Sequence, residues 1–156
     1  MKLKFFSIVA AIGITASNSS CDELHFDKKL YDAGSTVFDS KCLSCHIKKD
    51  YTFEELGMNF MEKNKILNLK APVLSQLSLR LKSQLGDKSD REFQLYQVSD
   101  YIKDYANNPD KSKGICMEMV LESFETMPSM KGQVSNDEFE KIGYYMYWYD
   151  IINKKK

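Results

Sequence analysis

The chain has few of the residues that interrupt structure or bind metals. It contains 3 prolines, 7 glycines, 4 cysteines, 2 histidines and 1 tryptophan in 156 residues. It has no net charge, since 22 basic side chains balance 22 acidic ones, which excludes the strong basic field of a nucleic-acid binder. The sequence has no strand-like alternation, internal repeat or low-complexity segment. Outside the N-terminus it has no apolar run long enough to span a bilayer.

The N-terminus has the layout of an export signal. Lys2 and Lys4 are followed by an apolar run over residues 5–14 and a small, polar stretch over residues 15–20. The run is too short for a transmembrane helix and suits a signal-peptide core. Residues 1–20 are therefore read as a signal peptide and residues 21–156 as one domain, exported to the periplasm. Loss of Lys2 and Lys4 leaves that domain with an excess of two acidic groups. Cys21 has three open readings: a lipid-bearing N-terminal cysteine tethering the protein to a membrane, a disulfide partner of Cys116, or a free or removed residue.

Apolar spacing is helical almost throughout the remainder, so the fold class is all-α. Leu30, Gly34, Val37 and Phe38 share a face of a first helix capped by Asp27. Thr52 and Glu55 make a capping box for a second helix that carries Leu56, Phe60, Met61 and Ile66. After Pro72, the stripe Leu74, Leu77, Leu81 and Leu85 predicts a third. Ser89 and Glu92 read as the capping box of a fourth, which continues through Leu95, Val98, Ile102 and Tyr105. A short helix is expected from Gly114 to Phe124. Ser135 and Glu138 open the last helix, with Phe139, Ile142, Met146 and Tyr149 on one face. Pro72, Pro109 and Pro128 all fall between predicted helices. Lys154, Lys155 and Lys156 read as a solvated tail.

One pentapeptide carries chemistry. Cys42-Leu43-Ser44-Cys45-His46 is C-x-x-C-H, the attachment site of a c-type haem. Each thiol adds to one porphyrin vinyl group, and the histidine that follows is placed to ligate iron. Two simpler readings fit less well. A thioredoxin-like pair wants a βαβ context, and a zinc site wants more ligands than His25, Cys21 and Cys116 supply. Covalent haem attachment takes place outside the cytoplasm, in agreement with the export signal. For the opposite side of the iron, a methionine thioether is the common second ligand. Met127 stands before Pro128 in a loop between helices, whereas Met146 lies on a helix stripe and reads as core. Met130 and His25 are the other candidates.

With the run Thr126-Met127-Pro128-Ser129-Met130-Lys131-Gly132-Gln133-Val134-Ser135, followed by Asn136-Asp137-Glu138-Phe139, the chain resembles the class I monohaem cytochromes c. The resemblance covers both ends of the domain and the middle only loosely. It implies a helical domain wrapped around one covalent haem c, with Cys42 and Cys45 as tethers and His46 and Met127 as axial ligands. It also implies a crosswise packing of first and last helices, with Gly34 and Phe38 opposite Gly143, Tyr144, Tyr147 or Trp148. The segment between His46 and Met127 is longer than in compact members. Ala71-Pro72-Val73-Leu74 resembles the segment whose proline carbonyl meets the proximal histidine in that family, which makes Pro72 a candidate acceptor, but it comes late in the chain.

The function expected is a periplasmic electron carrier serving redox protein partners, not an enzyme. Lys48, Lys49 and Lys131 are candidates for steering an acidic partner. Two alternatives are a small-ligand sensor or peroxidase-like site with a displaceable distal ligand, and an electron-transfer subunit docked on a larger oxidoreductase through its aromatic last helix.

Overall fold

A computed structural model describes residues 24–153. The expectations for the signal peptide, for Cys21 and for the lysine tail lie outside those residues. Among the described residues there are six α-helices: α1 (Lys28–Lys41), α2 (Phe53–Met61), α3 (Leu74–Gln84), α4 (Arg91–Asn107), α5 (Glu118–Glu122) and α6 (Asn136–Asn153), with a 3₁₀ turn at Lys111–Lys113. No strand occurs among the described residues. The all-α expectation therefore holds, and the three prolines fall between helices as the sequence predicts.

α6 is the hub, packing against α1, α3 and α4. Its start is set by the expected capping box. The Glu138 amide donates to Ser135 Oγ at 3.2 Å, and the Ser135 amide donates to a Glu138 carboxylate oxygen at 2.8 Å. The aromatic run Tyr144, Tyr145, Tyr147, Trp148 and Tyr149 is buried throughout, because helices cover it on three sides. Against α1, Tyr145 meets Tyr31 and Phe38, with ring centroids 4.9 Å and 5.5 Å away. Gly34 sits where α1 crosses α6, and a Cβ there would strike the Lys141 carbonyl and lie 2.7 Å from Tyr145 Cβ. α1 and α6 thus pack closely at Gly34, with Tyr145 as the aromatic against α1. Gly143 serves a different contact. It faces Ser99 of α4, whose Cβ would be 2.7 Å from an added methyl.

Two polar contacts fix the other helices on α6. Tyr147 Oη donates to Gln94 Oε1 at 3.0 Å, and Gln94 Nε2 donates to the carbonyls of Lys82 and Leu85, both at 2.9 Å. One buried glutamine of α4 so satisfies the C-terminal end of α3 and a core tyrosine. Ser78 Oγ of α3 reaches the Met146 carbonyl at 2.5 Å, and Lys82 pairs with the buried Asp150.

A second, smaller apolar cluster joins Leu56 and Phe60 of α2, Leu69, Val73 and Val120 of α5. Its frame is a loop, where the sequence predicted more helix. α2 starts at the expected Thr52–Glu55 box but ends at Met61, and Ile66 lies outside it, exposed. Lys63, Asn64 and Asn68 adopt positive φ, at 50°, 62° and 46°. Asn64 Oδ1 accepts from Asn59 Nδ2 and from the Leu69 amide, both at 2.9 Å, and Asn64 Nδ2 donates to the Leu69 carbonyl at 2.6 Å. Asparagine tolerates this conformation because its short amide bonds to the local backbone.

Two other boundaries differ from expectation. α4 is capped by Asp90, which accepts from the Phe93 amide at 2.9 Å. Ser89 is engaged one turn earlier, its amide and hydroxyl both donating to Asp87. The helix expected within residues 114–124 shortens to Glu118–Glu122.

Candidate functional site

The C-x-x-C-H motif continues directly from α1. The amides of Cys42 and Leu43 donate to the Phe38 carbonyl at 2.7 Å and 3.1 Å. The amides of Cys45 and His46 then both donate to the Cys42 carbonyl, at 3.1 Å and 2.9 Å. These bonds wind the motif into one tight turn, which brings both cysteines and the histidine to the end of α1.

His46 Nδ1 lies 2.8 Å from the Pro72 carbonyl oxygen. A carbonyl can only accept, so Nδ1 carries the hydrogen and Nε2 keeps its lone pair. Burial lowers the His46 pKa, and the Pro72 carbonyl opposes that shift in part. The imidazole is held neutral, oriented and ready to ligate through Nε2. A second bond, from the Leu74 amide to the Ile47 carbonyl at 3.0 Å, fastens the two segments together. Pro72 is thus brought to the histidine even though it lies 26 residues away in sequence.

Cys42 and Cys45 are not joined to each other, and Cys116 is also a free thiol. Burial, with Cys45 nearby, pushes the Cys42 thiol up to about 11, against the pull of Lys41. Thiol–disulfide exchange needs the thiolate, so this is a poor setting for a redox-active pair. Among the described residues, no group of three or more His, Cys, Asp or Glu side chains gathers to hold a metal ion, so the zinc reading gains no ligand set.

Met127 is partly buried against the main core, as are Cys42, Leu43 and Met130. Its loop is tied on the side that follows Met127. Ser129 Oγ donates to the Asn107 carbonyl at 2.6 Å, and the Met130 amide donates to the Ala106 carbonyl at 2.8 Å, so the end of α4 supports one side. Lys41 Nζ donates to the Gln133 carbonyl at 2.9 Å, which links the loop to the residue just before Cys42. Gly132 turns the chain at φ 77°. These bonds hold the stretch that follows Met127 against the end of α4 and against Lys41, the residue before the motif.

The remaining candidates fall elsewhere. His25 is exposed and precedes α1, with about 20 Å of helix between it and the motif. Met146 is buried in the core, as its stripe predicts. Lys48 forms an ion pair with Asp39, donates to Ser35 Oγ at 3.2 Å and lies over the Tyr145 ring. Its charge is spent within the fold, so of the three lysines named from sequence Lys49 and Lys131 stay exposed. The Asn59–Asn64 loop, which delivers residues 67–73 to the histidine, was missed from sequence. Its signal was the pair of asparagines at positions 64 and 68 beyond the last helical turn.

The donor set fits a covalently held haem c. It offers two unpaired thiols in one turn, an imidazole with its outer nitrogen fixed by a carbonyl, and a thioether on a loop bonded to the residue before the motif. A groove of about 480 Å³ between α4 and α6 is lined by none of Cys42, Cys45, His46 or Met127.

No protein family and no solved structure matches this chain. A protein of Aquifex aeolicus (strain VF5), described as an uncharacterized protein, is 29% identical over 136 residues, covering 82% of this chain and 84% of its own length.

Proposed function

We propose that this protein is an exported electron carrier with one haem c, tethered by Cys42 and Cys45 and ligated by His46 and Met127. The group would supply a one-electron Fe(II)/Fe(III) couple. The observation that carries the reading is the His46 Nδ1 contact to the Pro72 carbonyl, because it fixes the tautomer that an axial ligand needs.

The chain's own residues then have distinct tasks. The turn at the end of α1 holds both thiols on one edge. Pro72 and the Leu74–Ile47 bond keep the imidazole from rotating. The bonds from α4 and Lys41 to the Met127 loop hold a thioether on call without requiring it to sit on a helix. His46 and Met127 would both donate to the iron when the group is bound, which would leave no place for substrate and favours electron transfer over catalysis. The rings of α6 are buried and serve the core.

The test is the visible spectrum of the matured protein and of Met127→Ala in both oxidation states. Wild type is expected to carry one acid-stable haem, six-coordinate and low-spin, and inert to carbon monoxide. Met127→Ala is expected to lose the Fe(III)–sulfur band and to bind carbon monoxide at once. A purified chain with the mass of its amino acids alone overturns the reading.

A further inference from the structure

We infer that the groove between α4 and α6 is a docking site for a basic, amphipathic polypeptide segment of a redox partner. The partner's class rests on the carrier reading above, whereas the groove's chemistry does not.

α4 and α6 run antiparallel, as the contacts Gln94–Tyr147 and Ser99–Gly143 establish. Beside that line of contact lies the groove of about 480 Å³, floored by Leu30, Leu95, Phe139 and Tyr144. Its rims are charged unequally. Lys103 is basic, but the Lys141 ammonium is taken by Asp137 at 2.6 Å. Asp100 and Glu140 are exposed acidic groups on the two rims. Asp90 and Glu92 add negative charge at a neighbouring hollow that shares Tyr96 with the groove.

At the junction of the two hollows, Phe93 and Tyr96 stack with their rings 6.4 Å apart and 14° from parallel. They are 50% and 66% exposed. A single exposed aromatic needs no explanation. Tyr96 lines the apolar-floored groove and Phe93 extends the exposed aromatic surface into the neighbouring hollow, the composition of an interface, where aromatics are enriched. Acidic rims and exposed ring faces select a lysine- or arginine-bearing segment, through ion pairs and cation–π contacts. They disfavour an anionic lipid surface. The opposite end of the groove reaches Asn136 and Asp137, which directly follow the loop carrying Met127. A segment seated there therefore lies next to the loop assigned to the iron ligand.

The probe is a synthetic Lys/Leu amphipathic helical peptide of about 14 residues, four turns long, with a Glu/Leu peptide of the same pattern as control. Calorimetric titration into the matured protein is expected to show binding of the Lys/Leu peptide alone, weakening as salt rises. Tyr96→Ser is expected to weaken it about tenfold. Asp100→Asn with Glu140→Gln is expected to flatten the salt dependence. These positions are exposed, so the variants remain folded, which circular dichroism checks. Equal binding of both peptides, or full affinity in Tyr96→Ser, overturns the assignment. It is also overturned if sedimentation shows wild-type dimers that Tyr96→Ser abolishes, or if phosphatidylglycerol vesicles occupy the groove in place of the peptide. Haem content is read in the same samples by alkaline pyridine spectra. Its absence removes the carrier reading and leaves the groove result standing.

Discussion

Around α6, Phe38, Val98 and Tyr147 are enclosed by α1, α3 and α4 and are essentially inaccessible to water. Around α2 and α5, Leu56, Phe60, Leu69, Val73 and Val120 make a smaller cluster whose boundary is drawn by a loop. The first region gains its order from interdigitated side chains on long helices. The second gains it from hydrogen bonds of Asn59 and Asn64 that fold residues 62–70 back onto a two-and-a-half-turn helix. The motif lies between them. Its cysteines continue a helix of the first region, and its histidine is oriented by Pro72, beside Val73 of the second. A site strung across two such regions has a rigid tether and a lighter clamp.

That contrast can be broken at either side. Phe38→Ala is expected to cost about 4 kcal/mol in urea unfolding, since it removes a fully buried ring beneath the motif. Gly34→Ala is expected to cost about 3 kcal/mol, because the new methyl meets the Lys141 backbone carbonyl and cannot move aside. In the second region, Asn64→Ala is expected to lose about 2 kcal/mol, as it leaves the Leu69 amide unpaired and places alanine at positive φ. Hydrogen exchange sharpens the comparison. Asn64→Ala should release amides of residues 59–70 while those of α6 stay protected; uniform loss across both regions would merge them into one cooperative unit. Thr52→Ala, which removes the cap of α2, is expected to cost about 1 kcal/mol with the same localisation.

The smallest effect concerns pH. Glu55 and Glu138 are held below the ordinary carboxylate range by the amide and hydroxyl of Thr52 and Ser135. Each folded value lies below the unfolded value of about 4.3, so the unfolded chain binds more protons as pH falls. The caps therefore stabilise above that pH and stop contributing as acid takes it through the folded value. Glu138→Gln should flatten the decline of the urea midpoint in this window, and an unchanged slope would show that the cap carries no linkage.

Much of the first region was legible in the sequence. Leu74, Leu77 and Leu81 announce α3 by spacing, and Ser135 with Glu138 marks the start of α6, because capping and periodicity depend on residues within one or two turns. Gly34 opposite an aromatic was also legible, although the ring proved to be Tyr145. The second region was read poorly. Ile66 fits a helical stripe, but asparagines at positive φ end the helix before it. Ser89 and Glu92 match a capping pattern that Asp90 fulfils one residue later, since Gly86 and Asp87 set the turn first. Gly143 gave no hint of Ser99.

The C-x-x-C-H spacing, the all-helical pattern and the singular Met-Pro loop are local properties, written in neighbouring residues and fixed by the sequence alone. Tertiary structure decided that the Pro72 carbonyl meets His46, that Lys48 is spent on Asp39, that the aromatic run of α6 is covered, and that α4 and α6 leave a groove between them. Each of these joins residues distant along the chain. Only closure of the helices around α6 brings such groups within a few ångströms, where hydrogen bonding and packing act.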